Sequence, residues 1–155
     1  MYKGIILHWT AGNYKPSSCD IKHYHFLIDG EGKVHKGIFD PKDNEKIRGN
    51  NYAAHCGGGN TGRIGIAICC MKNENTQPKQ IQIEHMCCLA STLCKLYGLK
   101  PKNCMTHAKF GQLNPQTTSA GKIDINYIPY EKLKGIEICN SYLVNKIQWY
   151  FNRLK

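Results

Sequence analysis

Gly4-Ile5-Ile6-Leu7-His8-Trp9 and Ile64-Gly65-Ile66-Ala67-Ile68-Cys69-Cys70-Met71 are the two stretches that decide the fold. Each is a nearly continuous apolar run, which is typical of a strand buried inside a sheet. Between them, Tyr24–Ile28 and Lys33–Ile38 flank the turn sequence Asp29-Gly30-Glu31-Gly32, and this pattern predicts a β-hairpin. The first half of the chain is therefore expected to supply most of a β-sheet.

Two helices are predicted downstream of these strands. The segment from Pro78 to Tyr97 has proline at its start, Gly98 directly after its end, and apolar residues at helical spacing. The segment from Ile136 to Leu154 shows the same spacing and is predicted to be a terminal helix. We expect the apolar face of this last helix to cover one face of the sheet.

The remaining segments complete an α/β pattern. Asn103–Thr106 is predicted to be a short strand, whereas residues 39–63 and 108–121 are predicted to be long loops. The order of elements is then strand, hairpin, strand, helix, strand, helix. This order predicts a single α/β domain over residues 1–155, with a central mixed β-sheet flanked by helices.

Length and charge exclude several classes of protein. The chain has 155 residues, which suits one domain, and its 21 Lys+Arg against 11 Asp+Glu give a net charge of +10. That charge favours contact with an anionic surface or polymer. No motif for nucleic-acid binding accompanies it, so nucleic acid is not expected as a partner. No apolar run is long enough to span a membrane, and no signal peptide is recognised, so we expect synthesis in the cytoplasm without general secretory export.

The nine cysteines indicate reduced thiols. Their number is odd and no leader peptide accompanies them, which argues against a disulfide framework. None forms a C-x-x-C pair, so a structural zinc knuckle is not expected. Most of them are predicted to be small buried apolar residues.

Two histidines lie at the ends of predicted strands. His8 is near the end of the first strand and His107 ends the short strand that precedes the second loop. Ligands gather where strand ends meet loops, and two imidazoles with a carboxylate such as Asp124 make a zinc site with one open position. Lys122 would face the same side as Asp124 in an extended segment. A histidine at such a place can equally be structural, so spacing alone leaves both interpretations open.

Five collinear blocks of the sequence cover roughly residues 4–130. They read Ile6-Leu7-His8-Trp9-Thr10-Ala11-Gly12, His23-Tyr24-His25-Phe26-Leu27-Ile28-Asp29-Gly30, Ala53-Ala54-His55-Cys56-Gly57-Gly58-Gly59-Asn60-Thr61-Gly62-Arg63-Ile64-Gly65-Ile66, Thr106-His107 and Gly121-Lys122-Ile123-Asp124. Their order resembles the zinc-dependent N-acetylmuramoyl-L-alanine amidases of type 2, the family of phage lysozymes and peptidoglycan recognition proteins. No single block is decisive, but five in order are hard to obtain by chance.

The resemblance implies a role for nine residues. It implies one Zn²⁺ per chain and assigns as its ligands His8, His107 and Asp124. The catalytic residues that it implies are Tyr24 and Lys122. The substrate contacts that it implies are Thr10, His55, Asn60 and Arg63. The chain also departs from the family: arginine stands at position 63 where relatives commonly have serine, and the short stretch between residues 8 and 24 implies that a helix there is reduced or missing.

The function implied by the resemblance is zinc-dependent hydrolysis of the amide bond between N-acetylmuramic acid and L-alanine in peptidoglycan. The chain would be a phage- or prophage-type lytic enzyme (endolysin) that acts on the cell wall, in the periplasm or outside the cell, after release. It would be a monomer with one catalytic domain, a C-terminal helix at about 136–154 and no separate wall-binding domain. The alternative is a non-catalytic peptidoglycan-binding module of the same fold, which is expected to have lost a metal ligand.

Overall fold

A five-stranded mixed sheet forms the centre of the computed structural model, which describes residues 1–155. Its strands are β1 (Gly4–Trp9), β2 (Phe26–Ile28), β3 (Val34–Lys36), β4 (Arg63–Ile68) and β5 (Cys104–Thr106). Their order across the sheet is β3-β2-β4-β1-β5. The β2–β3 pair is antiparallel and the other pairs are parallel, which confirms the predicted hairpin and the mixed sheet.

Four α-helices accompany the sheet. They are α1 (Ser18–His23), α2 (Gln80–Tyr97), α3 (His107–Leu113) and α4 (Ile136–Phe151). A small antiparallel pair, β6 (Tyr127–Ile128) and β7 (Leu133–Lys134), precedes α4. Helices α2 and α4 agree with the predicted segments to within three residues at each end. None of the helices is long and apolar enough to cross a membrane.

The predicted loop over residues 108–121 is wrong in its first part, because α3 begins at His107. The side chain of Thr106 caps this helix by accepting a hydrogen bond from the Lys109 backbone N–H at 3.1 Å. Ala108 and Phe110 anchor the helix by burying their side chains. A helix of seven residues is too short to give a clear periodic pattern, which explains the error. Helix α1 has six residues, so the helix expected to be reduced or missing is present in reduced form.

One face of the sheet carries the main core. Residues that alternate along β1, such as Ile5 and Leu7, pack in one cluster with Met86 of α2 and Leu143 of α4. Burying one such side chain fully stabilises the fold by about 1.5–3 kcal/mol. Seven of the nine cysteines are buried as well, which confirms their prediction as small core residues.

The opposite face of the sheet leads to the candidate site. Ile6 packs there in a smaller cluster with Cys56 and Phe110. His8 lies two residues beyond Ile6, so its side chain is on this same face. Because β1 and β5 are parallel neighbours, His8 and His107 both reach the edge at which these strands end.

Candidate active site

Two imidazole nitrogens and one carboxylate oxygen converge at this edge of the sheet. The Nδ1 atom of His8 lies 3.1 Å from Nδ1 of His107 and 3.2 Å from Oδ2 of Asp124. The distance from His107 Nδ1 to the same carboxylate oxygen is 3.3 Å. The three residues are 0%, 4% and 9% exposed, and together they form a group that could hold a metal ion.

The spacing of these three atoms suits a tetrahedral metal. Zinc binds imidazole nitrogen and carboxylate oxygen at about 2.0–2.2 Å, and a tetrahedron with such bonds has edges of roughly 3.3–3.6 Å. The three observed separations approach this edge length. Three protein ligands with a cavity on the fourth side are typical of a catalytic rather than a structural zinc site.

Local backbone structure explains how each side chain arrives at the site. His8 comes from a strand that is paired on both sides, and His107 is the first residue of the capped helix α3. Asp124 precedes Ile125, whose φ of +55° is a rare, strained value for a β-branched residue. The side chain of Ile125 is fully buried in the main core. This strained turn therefore sends Ile125 into the core while Asp124 faces the histidines.

A cavity of about 330 Å³ opens beside these three residues. Tyr24, Lys122, His55 and Thr10 all line it, so the structure brings both implied catalytic residues and two of the implied substrate contacts to one place. The hydroxyl oxygen of Thr10 is buried there without a hydrogen-bond partner. A buried hydroxyl without a protein partner has its hydrogen-bonding capacity free for a ligand.

Burial sets the protonation states around the cavity. It lowers the pKa of His8 to about 4 and holds the pKa of His55 well below its usual value. Both imidazoles are therefore neutral near pH 7, and neutral imidazole is the form that binds metal. Burial raises the pKa of Tyr24, so its phenol stays protonated and can donate a hydrogen bond.

A sequence profile described as N-acetylmuramoyl-L-alanine amidase matches residues 2–124, which is most of the chain. The chain belongs to the N-acetylmuramoyl-L-alanine amidase family. This match includes the two histidines and the aspartate that meet at the edge of the sheet. No curated protein sequence matches the chain significantly.

Two solved structures resemble the fold of this amidase family member. One is described as the structure of PlyL, with a TM-score of 0.60 and 18% identity over 95% of this chain and 84% of that one. The other is the Staphylococcus aureus hydrolase AmiA in complex with its ligand, with a TM-score of 0.59 and 15% identity over 97% of this chain and 73% of that one. At these identities the likeness supports the fold, and it agrees with the α/β architecture predicted from the sequence.

Two implied substrate contacts of this amidase family member do not line the cavity. The side-chain oxygen of Asn60 accepts a hydrogen bond from the Cys56 backbone N–H at 2.7 Å. The guanidinium of Arg63 donates to the Gly59 carbonyl at 3.3 Å and lies 5.0 Å from the centre of the Phe110 ring. Both side chains thus hold the loop that leads into β4, and their contact with substrate stays a prediction.

Sequence reasoning missed other residues at the site. Cys19, Asp20 and His23 of α1 line the cavity, although no pattern in the sequence linked them to His8, His107 and Asp124. Ser119 is fully buried, and its hydroxyl lies 2.9 Å from Nε2 of His107. Its position depends on how the loop after α3 turns back toward the sheet, and the sequence carries no local signal for that.

Proposed function

We propose that this chain is a zinc-dependent N-acetylmuramoyl-L-alanine amidase that hydrolyses the amide between the lactyl group of N-acetylmuramic acid and the first L-alanine of the stem peptide. The observation that carries the proposal is the convergence of His8, His107 and Asp124 at the wall of a cavity that Tyr24 and Lys122 also line. Membership of the amidase family supports the same reaction.

Each residue at the cavity has a task in this reaction. When bound by His8, His107 and Asp124, zinc activates water as a nucleophile near neutral pH and polarises the scissile carbonyl. Lys122 places positive charge near the oxyanion that develops in the transition state, an effect worth roughly 10²–10³ in rate. Tyr24 donates a hydrogen bond to the attacking water or to the tetrahedral intermediate.

Digestion of purified peptidoglycan tests the proposal directly. The chain is incubated with peptidoglycan as purified, with a chelator, and with the chelator followed by added zinc, and the soluble products are analysed by mass. We expect free stem peptides that begin with L-alanine and intact glycan strands, with no release under chelator and recovery on adding zinc. An Asp124→Ala variant serves as the metal-site control.

Two outcomes would contradict the proposed reaction. Products with new sugar ends or cut cross-links would mean that another bond is hydrolysed. Binding to peptidoglycan without any released peptide would favour the non-catalytic binding module, even though all three ligand positions hold residues that can bind zinc.

We further propose a lytic role of the phage or prophage type (endolysin), in which the chain meets the cell wall after release from the cytoplasm. The net charge of +10 supports it, because such a charge attracts the protein to an anionic wall. Clearing of a cell-wall suspension should slow as salt rises, since the Debye length shortens from about 10 Å at 0.1 M to about 3 Å at 1 M. A salt-independent rate would contradict charge-driven contact. Light scattering with metal analysis should give a monomer that holds one zinc.

A further inference from the structure

The outer nitrogen of His107 is hydrogen-bonded through a serine to a backbone carbonyl. His107 Nε2 lies 2.9 Å from the hydroxyl of Ser119, and this hydroxyl lies 2.8 Å from the carbonyl oxygen of Gly57. A carbonyl oxygen only accepts, so the hydroxyl proton of Ser119 points to Gly57. The serine oxygen then accepts from Nε2–H of His107. When the imidazole is neutral, its inner nitrogen, Nδ1, then has a lone pair that is free to bind a metal ion.

A parallel chain of hydrogen bonds holds His8. Its Nε2 lies 3.0 Å from Nδ1 of His55, and Nε2 of His55 lies 3.3 Å from the carbonyl oxygen of Arg63. This carbonyl also only accepts, so the proton of neutral His55 is on its Nε2 and its Nδ1 accepts from His8. The inner Nδ1 of His8 therefore also carries a lone pair.

We propose that Ser119 and His55 are positioning residues that set the tautomers of the two histidine ligands. Ser119 links the outer nitrogen of His107 to the carbonyl of Gly57, and His55 links the outer nitrogen of His8 to the carbonyl of Arg63. We call these two chains of hydrogen bonds the relays. They leave both inner nitrogens unprotonated when a metal is bound. The proposal rests on the zinc site of the proposed function. Partners of this kind orient ligand histidines, and their loss typically weakens metal affinity about 10–100-fold.

The packing around both relays leaves little freedom for other arrangements. A Cβ atom on Gly65 would lie 2.5 Å from Cγ of His55, so only glycine lets this imidazole rest against β4. A Cβ atom on Gly57 would lie 1.8 Å from the hydroxyl of Thr118, so the carbonyl of Gly57 approaches Ser119 only because that position is glycine. The segment 57–63 is thus held against both relays by close contact.

Nitrogen NMR of the histidine rings tests the tautomers without any metal. In the metal-free full chain near pH 7.5, we expect both His8 and His107 to carry a ring proton on Nε2, whether or not an inner nitrogen also shares a proton with Asp124. In Ser119→Ala we expect His107 to become a mixture of tautomers while His8 is unchanged. A role of Ser119 that is only structural would not change the tautomer of one histidine selectively.

Zinc affinity, measured by competition with a chromophoric chelator, gives the second readout. We expect Ser119→Ala to bind zinc about 10–100-fold more weakly than the wild type. His55→Leu should show a loss of the same order, whereas His55→Gln should stay close to the wild type, because glutamine offers one acceptor and one donor. Gln116→Ala is the matched control, since Gln116 is exposed three residues before Ser119 in the same loop.

The outcomes separate this proposal from the proposed function. The absence of a ring proton from Nε2 of His107 in the wild type, or ring spectra and zinc affinity that are unchanged in Ser119→Ala, would overturn the proposed role of Ser119. If the wild type bound no zinc, the proposed function would fail, and the ring spectra of the wild type and Ser119→Ala would still decide whether the relay exists. If His55→Leu does not fold, a loss of affinity in His55→Gln equal to that in Ser119→Ala would contradict the role of His55.

Discussion

The buried histidine at position 25 should make the fold sensitive to acid in a way that can be calculated. His25 is fully buried, its Nδ1 accepts from the Gly65 backbone N–H at 2.9 Å, and its Nε2 donates to the side-chain oxygen of Asn44 at 3.0 Å. A second ring proton would be on Nδ1 and would break the hydrogen bond that this nitrogen accepts from Gly65. Burial lowers the pKa of His25 to about 4, although the hydrogen bond to Asn44 acts in the opposite direction.

The size of the effect follows from the two pKa values. A histidine in the unfolded chain has a pKa near 6.5, so the unfolded state binds more protons than the folded state between about pH 6.5 and pH 4. The free energy of unfolding therefore falls as the pH falls through this window. For His25 alone the fall is about 2 kcal/mol between pH 7 and pH 5, and it approaches about 3 kcal/mol below pH 4.

Urea unfolding at pH 7 and pH 5, with chelator present so that metal does not contribute, measures this dependence. His25→Gln keeps one acceptor and one donor but does not titrate, so it should lose about 2 kcal/mol less than the wild type between the two pH values. His23→Gln is the matched control, because His23 is exposed. An equal loss in the wild type and His25→Gln would refute the reasoning.

Three further perturbations have defined outcomes. Asp124→Ala should lose zinc binding and peptide release together, whereas Lys122→Ala should still bind zinc while its peptide release slows on the order of 10²-fold. Metal analysis and peptide-release rates of the two variants measure these effects. A wild-type release rate in Lys122→Ala would contradict the role of the lysine. Gly65→Ala should push the ring of His55 away from β4 and weaken zinc binding, which the chelator competition measures; unchanged affinity would contradict the close packing. Cys19 is the one exposed thiol and Cys88 is half-buried, so a brief alkylation of the native, reduced protein should modify Cys19 first, at about one cysteine per chain as counted by mass. Modification of the buried thiols at the same rate would contradict their burial.

The sequence predicts the sheet and the two long helices because their signals are strong and local. Strands β1 and β4 are six residues long and coincide closely with apolar runs of the sequence. Helix α2 combines helical spacing with proline before it and Gly98 after it. Helix α3 and the β6–β7 pair escape such reasoning. Helix α3 has seven residues, and β6 and β7 have two residues each. Elements this short are stabilised more by packing against the rest of the chain than by the intrinsic propensity of their residues.

The candidate site likewise has a part that the sequence predicts and a part that it does not. His8 and His107 are predicted to meet because parallel strands end at the same edge of a sheet, and this prediction requires only the positions at which the strands end. The turn that presents Asp124 depends on the strained φ of Ile125, and the contact of Ser119 with His107 depends on the path of a loop. The family resemblance identifies Asp124 through the motif Gly121-Lys122-Ile123-Asp124. It does not identify Ser119, because this residue lies outside all five blocks that carry the resemblance.

The two faces of β1 explain why this site tolerates little change in register. Ile5 and Leu7 face the main core, whereas Ile6 and His8 face the smaller cluster and the cavity. A shift by one residue would bury the imidazole in the apolar core and place Leu7 beside His107 and Asp124. Pairing with β4 on one side and β5 on the other prevents that shift, so the sheet holds one half of the site rigidly. The other half depends on loops around residues 57–63 and 119–124, and changes in these loops should therefore weaken metal binding well before they unfold the protein.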